Sequence, residues 1–217
     1  DSLDLVVTFA DTGDRLTLIG ALGSANGSPG SLALRFDDDT TWDRAAMRAR
    51  AIEDVSTTGN DTVQGFDGAD LFDMGAGSDF VSGGAGADRY VFAPGDGHDR
   101  IEDAGTSLAE VDAVEFAGIA SSEVTLSRLF RGSDTVVFGL AGNAADSLTV
   151  IDALAGNGLS IEEYRFADGV TWTRANLLAL LDNRAPVAGE DGFFSVVTGS
   201  ELTLLAGDLL RNDFDAD

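Results

Sequence analysis

The residues with the clearest chemical purpose are four aspartates, Asp61, Asp70, Asp79 and Asp88, set nine residues apart. Each stands two places after a glycine (Gly59, Gly68, Gly77, Gly86) and two before a large apolar residue (Val63, Phe72, Val81, Tyr90). The four copies read STTGNDTVQ, GFDGADLFD, MGAGSDFVS and GGAGADRYV across residues 56–91. Glycine lets the backbone take a left-handed turn that bares its carbonyls. Aspartate adds a charged oxygen, and the apolar residue points inward from a short strand. A donor set made only of oxygens selects a hard cation such as calcium. The elements that must hold these groups are short stacked strands joined by tight turns. Strands in a sheet lie about 4.8 Å apart, and two carboxylates at ~5 Å repel by roughly 1 kcal/mol in water and ~3 kcal/mol at an effective dielectric near 20. A folded array of this kind therefore calls for a counter-ion.

With Gly65, Gly75, Gly83 and Gly84 at the leading positions, the register matches G-G-x-G-x-D-x-U-x. The segment resembles the calcium-binding RTX (haemolysin-type) nonapeptide repeats of proteins that Gram-negative bacteria secrete through type I systems. The resemblance implies a parallel β-roll in which each nonapeptide is half a turn and calcium sits between loops two repeats apart. Only the last copy keeps both leading glycines; the first has Ser56 and Thr57 there, and the second has Phe66. A fifth, looser loop, PGDGHDRI, follows after two extra residues and brings Gly95, Gly97, Asp99 and Ile101. Pairing first with third, second with fourth and third with fifth implies about two to four calcium ions. In that scheme Asp79 is the aspartate expected to matter most, because only the third loop faces two neighbours. Asp67, Asp73, Asp96 and Asp103 are nearby carboxylates with less positional support; Asp67 and Asp103 stand among the candidate ligands, Asp103 is expected to help close the last site, and Asp67 and Asp73 are expected to face solvent.

Composition narrows the function classes. A net charge of −25 over 217 residues leaves no basic footprint for a phosphate backbone, which excludes nucleic acid as a partner. All 13 basic residues are arginine, so a Walker-type phosphate loop lacks its lysine. The absence of cysteine removes disulfides, zinc–thiolate sites and a cysteine nucleophile. No apolar run approaches the ~20 residues of a membrane span, and the start DSLDLVVTF lacks the basic segment of a secretory signal. The single histidine, His98, occupies the variable fifth position of a loop with no nucleophile beside it in sequence, so the chain is expected not to be an enzyme. GGAGAD at 83–88 lacks the third glycine and the helix of a dinucleotide loop.

A second repeat flanks the first. Arg35, Phe36, Asp38, Thr41, Trp42, Arg44 and Ala45 match Arg165, Phe166, Asp168, Thr171, Trp172, Arg174 and Ala175 at one offset. These blocks resemble the haemolysin-type calcium-binding related domain that commonly follows RTX repeats. DLVVTF, RLTLIG, SLALRF, DTVVFG, SLTVID and IEEYRF read as strands. DRAAMRARAIEDV and RANLLALL read as helices capped by Thr41 or Asp43 and by Thr173. Trp42 and Trp172 are expected to be buried equivalents where a strand meets its helix. Residues 184–217 resemble the opening of cadherin-like β-sandwich repeats; a sandwich needs about seven strands, and this stretch offers about two. Asp213, Asp215 and Asp217 there form the front of an EF-hand-like D-x-D-x-D.

The expected fold is therefore mostly β, a parallel β-roll flanked by β-rich units that each end in a short helix. The expected divisions are 1–55, the second half of one related unit; 56–104, the roll; 105–183, a whole unit; and 184–217, linker and truncated sandwich. The expected function is a calcium-binding module of a large bacterial protein, secreted or on the extracellular surface, that folds on calcium binding after export. Its partners are calcium and neighbouring domains of the same chain. The alternative is a carbohydrate- or surface-binding adhesin module with cell-surface glycans as partner.

Overall fold

The computed structural model describes residues 4–19, 22, 33–103, 105, 107–156 and 160–182. The expected sandwich segment and Asp213, Asp215 and Asp217 lie outside the described residues. The chain opens with two antiparallel ladders, β1 (Leu5–Thr8) with β2 (Arg15–Leu18) and β3 (Leu34–Arg35) with β4 (Thr41–Trp42). Helix α1 (Arg44–Val55) follows, and the Asp43 carboxylate caps it by accepting the Ala46 N–H at 2.9 Å. Of the two residues able to cap, Asp43 does so because Thr41 is held in β4.

Five short strands follow, β5 (Thr62–Gln64), β6 (Leu71–Asp73), β7 (Phe80–Ser82), β8 (Arg89–Phe92) and β9 (His98–Glu102), with β10 (Ala113–Phe116) after them. They alternate between two sheets. The odd face pairs β5 with β7 and β7 with β9, all parallel. The even face pairs β6 with β8 and β8 with β10, also parallel. Alternate half-turns therefore stack as the resemblance to RTX repeats implied, and α1 lies against β5 and β6 at the first end.

The stack does not stop at residue 104. After a hairpin of β11 (Val124–Arg128) and β12 (Val136–Leu140), β13 (Asn143–Val150) returns to the odd face parallel to β9. Next, β14 (Glu163–Phe166) joins the even face parallel to β10, with β15 (Thr171–Trp172) antiparallel at its edge and helix α2 (Arg174–Asp182) closing the described chain. One six-stranded and one five-stranded sheet thus run through residues on both sides of 104. Strands β10 and β11 have no counterpart among the strands expected from sequence.

Between the sheets lies the core. Val63, Phe72, Val81, Tyr90 and Ile101, the eighth-position residues of the five loops, are all buried at 3% exposure or less. Phe72 stacks on Tyr90 at 5.1 Å, and Phe116 touches the rings of Phe92, Phe138 and Phe166. The flanking repeat is also a structural repeat. Leu34 pairs with Trp42 and Arg35 with Thr41, as Tyr164 pairs with Trp172 and Arg165 with Thr171. Phe36 meets Trp42 edge-on at 4.7 Å and 62°, and Phe166 meets Trp172 at 4.4 Å and the same angle. Both tryptophans are half-buried rather than buried, because each lies on the last strand of its sheet. Thr173 departs from the expected cap: its N–H and hydroxyl both donate to Asn176 Oδ1, so Asn176 supplies the acceptor.

Candidate metal centre

The repeat aspartates form two ladders along the turns. In each, a carboxylate accepts the backbone N–H of the aspartate one rung earlier on the same face. Asp79 Oδ1 accepts from Asp61 at 2.8 Å and Asp99 Oδ1 from Asp79 at 2.9 Å. On the other face, Asp88 Oδ1 accepts from Asp70 at 2.8 Å and Asp112 Oδ1 from Asp88 at 2.7 Å. Glu162 Oε2 extends that ladder by accepting the Asp112 N–H at 2.8 Å. The glycines stack with them. A Cβ on Gly97 would lie 2.0 Å from the Gly77 carbonyl, so the loops touch where glycine has no side chain. Gly59 lies under Gly77 and Gly68 under Gly86 in the same way, while Gly65 faces the Gly83 carbonyl. Asp67 and Asp73 are exposed, as expected.

Three carboxylate oxygens in this array are buried with no donor among the described residues: Asp79 Oδ2, Asp88 Oδ2 and Asp99 Oδ2. Their residues are 2%, 0% and 2% exposed. An ionised oxygen left so costs several kcal/mol unless a cation or proton reaches it. The densest point lies midway along the even ladder, where Asp88, Asp103 and Asp112 bring one oxygen each within 4.8 Å of one another, all buried. Tyr90 donates its hydroxyl to Asp103 Oδ2 at 2.7 Å. Gly83 makes room for this meeting, since a Cβ there would fall 1.9 Å from the Tyr90 hydroxyl and 2.5 Å from Asp88 Oδ2.

Burial dominates the electrostatics. It pushes the Asp88 carboxyl up to about 7, held back by the Asp70 amide and reinforced by the charges of Asp103, Asp70 and Asp112. Asp99 is likewise pushed up to about 7 by burial, with Asp79, Asp96 and Asp146 adding their charge. Asp70, Asp79, Asp96, Asp112 and Glu162 are raised, in each case chiefly by burial.

No protein-family model and no curated protein matches the chain. Among solved structures it is similar to the solution structure of the AlgE6R3 subunit from the Azotobacter vinelandii mannuronan C5-epimerase. The two are 20% identical, the match covers 69% of this chain and 88% of that one, and the TM-score is 0.28. At that score the likeness adds nothing to what the residues themselves show.

The site gathers Asp61, Asp70, Asp79, Asp88 and Asp99 into the two ladders and places Asp103 beside Asp88. It also contains three carboxylates absent from the sequence expectation. Asp112, Asp146 and Glu162 each stand two residues before a buried apolar side chain, Val114, Leu148 and Tyr164. That is the spacing of the repeats without the glycine. Asp146 holds the fifth loop, accepting from Gly95 at 2.8 Å and Gly97 at 3.2 Å. Because Asp112 extends the even ladder, Asp88 is flanked on both sides, by Asp70 and Asp112, just as Asp79 is by Asp61 and Asp99. The expectation that Asp79 alone faces two neighbours is corrected accordingly. His98 is exposed, with Nδ1 2.9 Å from Ser147 Oγ. The oxygen-only donor set, its burial and its oxygens without donors suit a hard divalent cation such as calcium.

Proposed function

We propose that this chain is a calcium-binding structural module of a large secreted or surface-attached bacterial protein, and that calcium completes its fold after export. The observation that carries this is the trio of buried oxygens on Asp79, Asp88 and Asp99 that no donor reaches, within ladders of carboxylates one strand spacing apart. The chain's own residues fix the carboxylates: each Oδ1 is oriented by an amide of the preceding rung, and the eighth-position residues anchor the strands in the core. Calcium, when bound, would bring positive charge to the buried oxygens of Asp79, Asp88 and Asp99. The reading assigns no catalytic residue.

Folding is then linked to calcium. An ion that binds the folded roll and hardly binds the unfolded chain contributes about 1.4 kcal/mol per site at ten times its dissociation constant. Three such sites contribute ~4 kcal/mol, a large share of a domain's net stability. Low calcium inside the cell leaves the chain extended and exportable, and high calcium outside folds it. Titrating the calcium-stripped protein while recording circular dichroism tests this. A saturable gain of β signal with calcium, and not with sodium at equal ionic strength, is the expected result; a full β signal in the stripped protein that calcium leaves unchanged rejects it.

A further inference from the structure

The five loops fall into two kinds, separated by the residue at the second position of the nonapeptide. In the first two loops this residue is Thr57 and Phe66, neither with positive φ. Its N–H turns back into its own loop and donates to that loop's aspartate, Thr57 to Asp61 Oδ2 at 2.6 Å and Phe66 to Asp70 Oδ2 at 2.6 Å. The Thr57 hydroxyl adds a second donor to Asp61 at 2.8 Å. In the third, fourth and fifth loops the same position holds Gly75, Gly84 and Gly95, with φ of 68°, 103° and 101°. There the matching oxygen, Oδ2 of Asp79, Asp88 or Asp99, meets no donor.

The cause is local. φ at the second position sets how its N–H points relative to the aspartate four residues on. A side chain with a Cβ resists positive φ, whereas glycine enters it freely. Thr57 and Phe66 therefore close their loops on themselves, and the three glycines leave their aspartates bare.

We propose, on the reading that the roll binds calcium, that the first two loops are ion-free caps and that, of the five loop aspartates, only those of the third, fourth and fifth loops hold calcium. The second-position residue is the determinant. Asp61 and Asp70 then act as turn-closing acceptors, in place of a cation, at the end of the roll that α1 covers. Cation loading is confined to the loops from Gly75 onward, next to the buried cluster of Asp88, Asp103 and Asp112.

Isothermal titration of the whole chain with calcium, on the wild type and four variants, tests this. Thr57→Gly is the cleanest gain variant because Thr57 is exposed and packs no core. It should bind one more calcium than wild type, and Gly84→Thr one fewer. Asp61→Ala should keep the wild-type stoichiometry and move the midpoint by less than about twofold, whereas Asp88→Ala should move it by about tenfold or more. Hydrogen exchange at Thr57, which loses its acceptor in Asp61→Ala, should rise without calcium and stay raised with it. A wild type that binds no calcium overturns the underlying reading. A wild type that binds, with Thr57→Gly unchanged in stoichiometry or Asp61→Ala as damaging as Asp88→Ala, overturns the two-class assignment alone.

Discussion

Asp88 is where the chemistry of the chain concentrates. It closes one rung of a ladder, faces Asp103 and Asp112, and keeps one oxygen without a donor. Gly83 exists as glycine to admit this group. Gly83→Ala should destabilise the protein by about 1–3 kcal/mol in urea unfolding, the usual cost of forcing atoms into a filled site. Because the nearest obstacle is the Tyr90 hydroxyl, Tyr90→Phe in the same chain should recover part of that loss. The two carboxyls pushed up to about 7, Asp88 and Asp99, also set a pH dependence. Unfolded aspartate titrates near ~3.9, so between that value and 7 the folded, calcium-free chain holds more protons than the unfolded one. The stability these groups allow is fully present below the unfolded value and is lost as pH rises through 7. Thermal melts of calcium-stripped protein should show a higher midpoint at pH 5 than at pH 8, and saturating calcium should abolish or reverse that order.

At the scale of elements, the strands of the roll are only three to five residues long from β5 to β9, too short to hold register by backbone pairing alone. The buried side chains supply what pairing does not: Phe72 stacks on Tyr90, and Phe92 packs against Phe116. The helices are set by their first turn. Asp43→Ala should cost about 1 kcal/mol by removing the acceptor for the Ala46 N–H, while Thr41→Ala should cost less, a comparison that urea unfolding of the two variants makes directly. Asp39, with φ of 66°, stands where the matching turn of the second unit has Gly169 at 82°. Asp39→Gly should therefore be neutral or stabilising by the same measurement.

For the whole molecule, the continuity of both sheets across residue 104 means that loss of the proposed calcium should be felt beyond the repeats. The even ladder runs from Asp70 to Glu162, so stripping the ion should weaken more than the glycine repeats. Hydrogen exchange with and without calcium should show protection lost first in the loops from Gly75 to Asp99, and then in β10, which carries no glycine motif. Protection unchanged in β10 while the repeats exchange freely would show that the two parts uncouple. Among the described residues no helix is long and apolar enough to cross a membrane.

The sequence by itself determined the local rules. Glycine, aspartate and apolar residue at fixed intervals dictated turn, carboxylate and core position in each repeat, so the burial of Val63, Phe72, Val81 and Tyr90 was legible from residues 56–91, while the parallel roll followed from the resemblance to RTX repeats. The match of Phe36 and Trp42 with Phe166 and Trp172 likewise foretold two identical corners. Tertiary structure alone decided where the array ends. Asp112 and Glu162 carry no glycine signature and are separated by 50 residues, yet β10 and β14 lie side by side and bring them onto one ladder. Asp146 reaches the fifth loop from 49 residues away in the same manner. A carboxylate's role here depends on which backbone amide or charge stands one strand away, and only the folded sheet fixes that neighbour.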